Sequence, residues 1–162
     1  MPMGERAVRE SGTGKRIFIK GFGNPAREDD GLGPAFVERI ELLDLEGVSV
    51  EADYQLTVED AAAAAECDTV VFVDASVAGA EPFSFTRIWP EGEPDVSSHD
   101  VSPTTVLALA RDIFHVEPEA YLLGVRGYSF AMFTEGMTGG ARENMETACD
   151  FLTRFLTRGI RT

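Results

Sequence analysis

Lysine is nearly missing from this 162-residue chain: Lys15 and Lys20 are the only two. The 14 basic residues face 28 Asp plus Glu, for a formal charge of −14. A field this negative repels phosphate backbones and anionic membrane surfaces, which excludes nucleic acid and acidic lipid as first partners. Cysteine is equally scarce. Cys67 and Cys149 provide neither a disulfide framework nor metal-ligand spacing, and they read as small apolar residues of a reducing cytoplasm. No apolar run approaches the roughly 20 residues that a membrane helix needs. Residues 1–14 are polar and Gly-containing without a hydrophobic stretch, so they read as a flexible leader rather than a signal peptide. Residues 15–162 then form a single domain. Its length is sufficient for a core, and an apolar fraction of 44% is too high for wholesale disorder.

What is present is an alternation of strand and helix signals. Arg16–Gly21 is a short β-branched run closed by glycine. Gly21–Gly33 is a glycine-rich loop. A helix follows from Leu32, with Phe36, Ile40 and Leu43 on one face and Pro34 tolerated in its first turn. Val48–Asp53 alternates as a strand. Thr57 and Asp60 frame a capping box ahead of the alanine run 61–65. Thr69–Ala75 is apolar enough for a central strand covered on both faces. Ser84–Trp89 follows after too few residues for a parallel crossover, so it is expected antiparallel at an edge. Ser102-Pro103 opens a helix to about Phe114. Ala120–Val125 is a fifth strand, 127–140 a loop, and Ala141–Leu156 an amphipathic helix with Met145, Ala148, Cys149, Leu152 and Phe155 inward. The pattern predicts a three-layer α/β/α domain around a five-stranded, mostly parallel twisted sheet with one antiparallel edge strand.

Ligands of such sheets bind beyond the carboxyl ends of the strands, near a topological switch point. Three polar segments reach that edge: Gly21-Phe-Gly-Asn-Pro-Ala-Arg-Glu-Asp-Asp-Gly-Leu-Gly33, Asp74, and Ser97-Ser-His-Asp100. Each has a bland alternative. The first is a tight strand exit with Asp29 and Asp30 as helix N-terminal acids, the second a strand-end carboxylate, the third a solvated loop histidine. His115 closes a helix and is read as structural. Taken together, two carboxylates and an imidazole suit a borderline divalent ion such as nickel or zinc, or acid–base chemistry. A nucleotide site fits poorly. The third glycine of the dinucleotide fingerprint and the Gly-Lys-Ser/Thr of a P-loop are both missing, and Glu28-Asp-Asp30 repels phosphate.

Gly21-x-Gly-Asn-Pro-x3-Asp-Asp-Gly-x-Gly33, Val71-Phe-Val-Asp-Ala75 and Ser98-His99 before a helix, in that order, resemble the hydrogenase maturation endopeptidases. Those cytoplasmic proteases trim the C-terminal extension of the [NiFe] hydrogenase large-subunit precursor. The resemblance spans roughly residues 16–156. It implies a metal-contacting triad of Asp30, Asp74 and His99, the first position being Glu in some members. It also implies no resident cofactor. The nickel recognised is the substrate's own, although a divalent ion can occupy such a site, and the precursor is met by a monomer. Asp30 or Asp29 is the expected general base, with a solvent-facing Asp29 as the competing reading. Gly21, Gly23 and Gly31 are expected to allow unusual backbone angles and close approach of a peptide, and Asn24 to hold the turn. Gly124-Val-Arg-Gly127, Thr138-Gly-Gly140 and Asp100 depart from the family pattern, which bears on the substrate subgroup. Two other classes stay open: a non-proteolytic nickel-sensing docking module, and a nucleotide- or flavin-binding α/β enzyme.

Overall fold

A computed structural model describes residues 15–92 and 101–161, with the side chains of 159–161 excepted. The expected leader and the Ser97–Asp100 segment with His99 therefore lie outside the described residues. Five strands form one sheet: β1 Ile17–Phe22, β2 Val48–Asp53, β3 Thr69–Ser76, β4 Phe83–Ile88 and β5 Glu119–Arg126. Four helices accompany them: α1 Leu32–Glu41, α2 Asp60–Ala65, α3 Pro103–Phe114 and α4 Gly139–Arg161. The strand order is β2-β1-β3-β5-β4. The first four in that order are parallel, and β4 pairs antiparallel with β5 at the edge.

The sheet is covered on both sides, which is why its central strands are continuously apolar. Along β1, Ile17 and Ile19 face α1 and α4, while Phe18 faces α2 and α3. Along β3, Val71 and Val73 join the first core and Val70 and Phe72 the second. Phe83, Phe85 and Tyr121 extend the first layer outward onto Phe151 and Phe155 of α4. Phe85 stacks on Tyr121 at 4.7 Å and meets Phe155 edge-on at 4.9 Å. Such pairs add roughly 1 kcal/mol beyond area burial. Both cysteines are buried.

Local chemistry sets most boundaries. Ser102 Oγ accepts from Thr105 N–H and Pro103 stands in the first turn, so α3 starts where the sequence predicts. His115 closes that helix in a left-handed conformation (φ 59°). Three expectations shift. α1 ends at Glu41, leaving Leu43 beyond the helix and 40% exposed. Only half of the expected capping box forms at α2: Asp60 Oδ2 accepts from Thr57 N–H at 2.9 Å, and no side chain caps the helix in return. α4 begins at Gly139, before the apolar stripe, because Thr138 Oγ1 accepts from Ala141 N–H. Among the described residues no helix is long and apolar enough to cross a membrane.

Candidate active site

β1 and β3 are neighbours, yet the chain leaves β1 through α1 toward β2 and leaves β3 toward β4 on the opposite side. Their carboxyl ends therefore border a topological switch point, where α/β sheets bind ligands. α1 enters this point closely. A Cβ on Gly33 would lie 2.5 Å from Phe22 O and 2.7 Å from Val73 O, so only glycine lets the helix start against both strand ends. That approach fixes the preceding 3₁₀ turn, Glu28–Gly31, against β3.

The turn presents two aspartates in opposite ways. Asp30 is half-buried, and its Oδ2 accepts from Asn24 N–H at 2.8 Å. Asn24 Oδ1 in turn accepts from Ala26 N–H at 2.9 Å, a side-chain-to-backbone bond that closes the strand exit. Gly23 takes φ +145°, and a Cβ there would strike Asp30 O at 2.0 Å. Gly21 and Gly31 adopt no positive φ. Their lack of a side chain serves packing instead: a Cβ on Gly21 would meet Gly33 O at 2.3 Å, and one on Gly31 would meet the Pro25 Cα at 2.9 Å.

Asp29 departs from the solvent-facing reading. It is 0% exposed. Its carboxylate accepts from the N–H groups of Tyr128 at 2.7 Å, Ser129 at 3.1 Å and Thr138 at 2.8 Å, and from Thr138 Oγ1 at 2.8 Å. Burial pushes its pKa up, but these donors, led by Tyr128 N–H, outweigh it and hold the carboxyl below the usual range. With its lone pairs occupied, Asp29 is poorly suited to be a general base. Its role is to clamp the 127–138 loop onto the turn that carries Asp30. Thr134 N–H to Ala26 O and Glu28 N–H to Thr134 O, both 2.8 Å, extend the same seam.

Asp74 stands near the end of β3, opposite Gly124 in register. Its carboxyl is pushed up to about 6. Burial is the main cause, the hydrogen bond from Ala75 N–H opposes it, and the charge of Asp30 raises it further. Asp30 and Asp74 thus sense each other across the switch point. A strongly shifted carboxyl in such a crevice is a candidate functional group. Among the described residues no group of three His, Cys, Asp or Glu is placed to hold a metal ion. Of the expected triad, Asp30 lies near enough for its charge to raise Asp74, and the third member, His99, lies outside the described residues.

Two features escaped the sequence reading. One is a cleft of about 520 Å³ beside the glycine loop, lined by Pro25, Pro34 and residues 52–55 and 57. The other is Lys20, 1% exposed, with its Nζ at 3.1 Å from Glu51, 2.6 Å from Asp53 and 2.8 Å from Asp60. Its signal was a lysine between Phe18 and Phe22 in an otherwise apolar strand.

Solved structures match this architecture. The [NiFe] hydrogenase maturation protease HycI from Thermococcus kodakarensis KOD1 is 25% identical with a TM-score of 0.68, over 93% of this chain and 99% of that one. The hydrogenase maturating endopeptidase HybD from E. coli is 23% identical with a TM-score of 0.69, over 89% and 93%. A hydrogenase 2 maturation peptidase from Thaumarchaeota archaeon SCGC_AB-539-E09 is 20% identical with a TM-score of 0.64, over 88% and 98%. No family model and no curated protein sequence matches. The mostly parallel five-stranded sheet is the architecture this chain has in common with those proteases. The chain shares the fold of these hydrogenase maturation proteases.

Proposed function

We propose that this protein is an endopeptidase that removes the C-terminal extension of a [NiFe] hydrogenase large-subunit precursor once nickel has been inserted. The observation that carries the reading is the pairing of Asp74, its carboxyl raised to about 6, with Asp30 at the switch point. Two adjacent carboxylates repel each other when the site is empty and gain when a cation arrives between them. The substrate's nickel is such a cation, and the His99 imidazole completes a donor set suited to a borderline divalent ion. No resident metal is needed, because the substrate carries it.

Asp30, fixed by Asn24 N–H, is held for the cation, and Asp74, relieved of its proton as the cation arrives, joins it there. The cleft at 52–57 receives extended peptide leading away from the site. The reaction takes place in the cytoplasm, with the enzyme as a monomer.

The test is tail removal by variants. Asp74→Asn and His99→Ala are expected to lose processing of nickel-loaded precursor while keeping wild-type circular dichroism. Wild-type rates in both would refute the assignment. Precursor binding without any mass change, in the wild type, would favour a nickel-sensing docking module instead.

A further inference from the structure

Lys20 is buried at 1% exposure among three carboxylates, and no step above uses it. Burial of an ammonium is costly unless it is paired and hydrogen-bonded. Here the pairing is complete: burial alone would lower its pKa, yet the bonds to Asp53, Asp60 and Glu51 raise it well above that of free lysine. The three partners come from different places. Glu51 and Asp53 lie on β2, the edge strand, and are 55% and 58% exposed, whereas Asp60 opens α2 and is 3% exposed.

Two of these partners lead to the candidate site. Asp53 receives Lys20 on its side chain and, through its backbone O, accepts Gly23 N–H at 3.1 Å. Gly23 packs directly on Asp30 O, and the next residue, Asn24, donates its N–H to Asp30 Oδ2. Asp60 receives Lys20 on one oxygen and Thr57 N–H on the other, which fixes the far wall of the 520 Å³ cleft. Glu51 receives Lys20 too, but it sits in mid-strand opposite Lys20 and reaches neither loop.

We infer that Lys20 is a positioning residue: a buried ammonium that holds the end of β2 and the start of α2 so that Gly23 and Asn24 keep the Asp30 carboxylate aimed at the switch point. The catalytic arm of this inference rests on the peptidase reading; the geometric arm does not. Misplacement of a reacting group by about 1 Å can cost up to 100-fold in rate, so loss of the clamp acts on kcat through Asp30.

The experiment is residue-resolved amide hydrogen exchange on the full chain, for wild type, Lys20→Met, Asp53→Asn and Glu51→Gln, with precursor processing measured alongside. Lys20→Met and Asp53→Asn are expected to speed exchange at Gly23 and Asn24 by about fivefold, the equivalent of one lost net hydrogen bond, and to lower kcat about tenfold. Amides of α4 stay unchanged. Glu51→Gln, which removes a charge from the same lysine, leaves Gly23 and Asn24 protected. Because Lys20→Met strands the buried Asp60, it can fail to fold; Asp53→Asn, whose side chain is exposed, then decides alone. Unchanged exchange at Gly23 and Asn24 overturns the inference, and so does equal loosening by Glu51→Gln. Loosened amides with unaltered kcat overturn the catalytic arm. A wild-type protein that cuts nothing refutes the peptidase reading, and the exchange data still decide the geometric one.

Discussion

Asp74 is a carboxylate kept at a thermodynamic disadvantage, so replacing it should stabilise the protein. Its pKa rises from 3.8 to about 6 on folding. A raised acid means that the folded state binds more protons than the unfolded state between those values, so its contribution falls as pH climbs. It is intact below pH 3.8 and fully lost once pH passes 6. At about 1.4 kcal/mol per unit, the charged form costs about 3 kcal/mol at pH 7 and roughly half that at pH 5. Partial access to water reduces the upper figure, so about 1–3 kcal/mol is the working range. Asp74→Asn keeps an oxygen for the bond from Ala75 N–H and removes the charge. Urea unfolding of wild type and variant from pH 5 to 8 is the assay. The variant is expected to be the more stable at pH 8, with a gap that narrows toward pH 5. A variant less stable at pH 8, or a gap that does not change with pH, would refute the electrostatic account of the site. Such a gain would fit a site in which stability is given up for function.

Asp29→Ala removes four hydrogen bonds from a buried carboxylate and leaves their donors unpaired. It is expected to cost about 3 kcal/mol by urea unfolding and to free the 127–138 loop to proteolysis. Since the folded-state pKa of Asp29 is lowered, its contribution is present at neutral pH and fades as pH falls below the ordinary aspartate value of about 4; the Asp29→Ala deficit should shrink in acid. Gly33→Ala drives a methyl into Phe22 O and Val73 O, both backbone atoms that cannot rotate away. A loss of about 3 kcal/mol or more is expected in thermal unfolding, whereas the same change at Gly139, a helical position where nothing lies within 4 Å, is expected to cost nothing or to gain up to about 1 kcal/mol.

Much of the sheet is legible without coordinates. β2 follows from its alternation, and β4 from a connection too short to cross over. The place of Asp74 near a strand end is legible from its apolar run, and strand ends at a switch point are where ligands of such sheets bind. What stays hidden is long-range. Asp29 looks like any N-terminal helix acid until Tyr128, 99 residues away, and Thr138 close over it. The partners of Lys20 come from 31 and 33 residues on along the chain and from the next helix. Local pattern reports which face a residue takes, and only tertiary packing reports whom it meets. Gly139 and Gly140 read as loop for the opposite reason: their weak helix propensity is overridden by the Thr138 cap and by the long amphipathic stretch behind them.

The central claim is that cleavage depends on nickel carried by the substrate. It is tested most directly by intact mass spectrometry of a large-subunit precursor, nickel-loaded and nickel-free, after incubation with this protein. The expected result is loss of a C-terminal peptide from the loaded precursor only, abolished by Asp74→Asn. Equal cutting of both forms, or cutting of neither, would contradict the account.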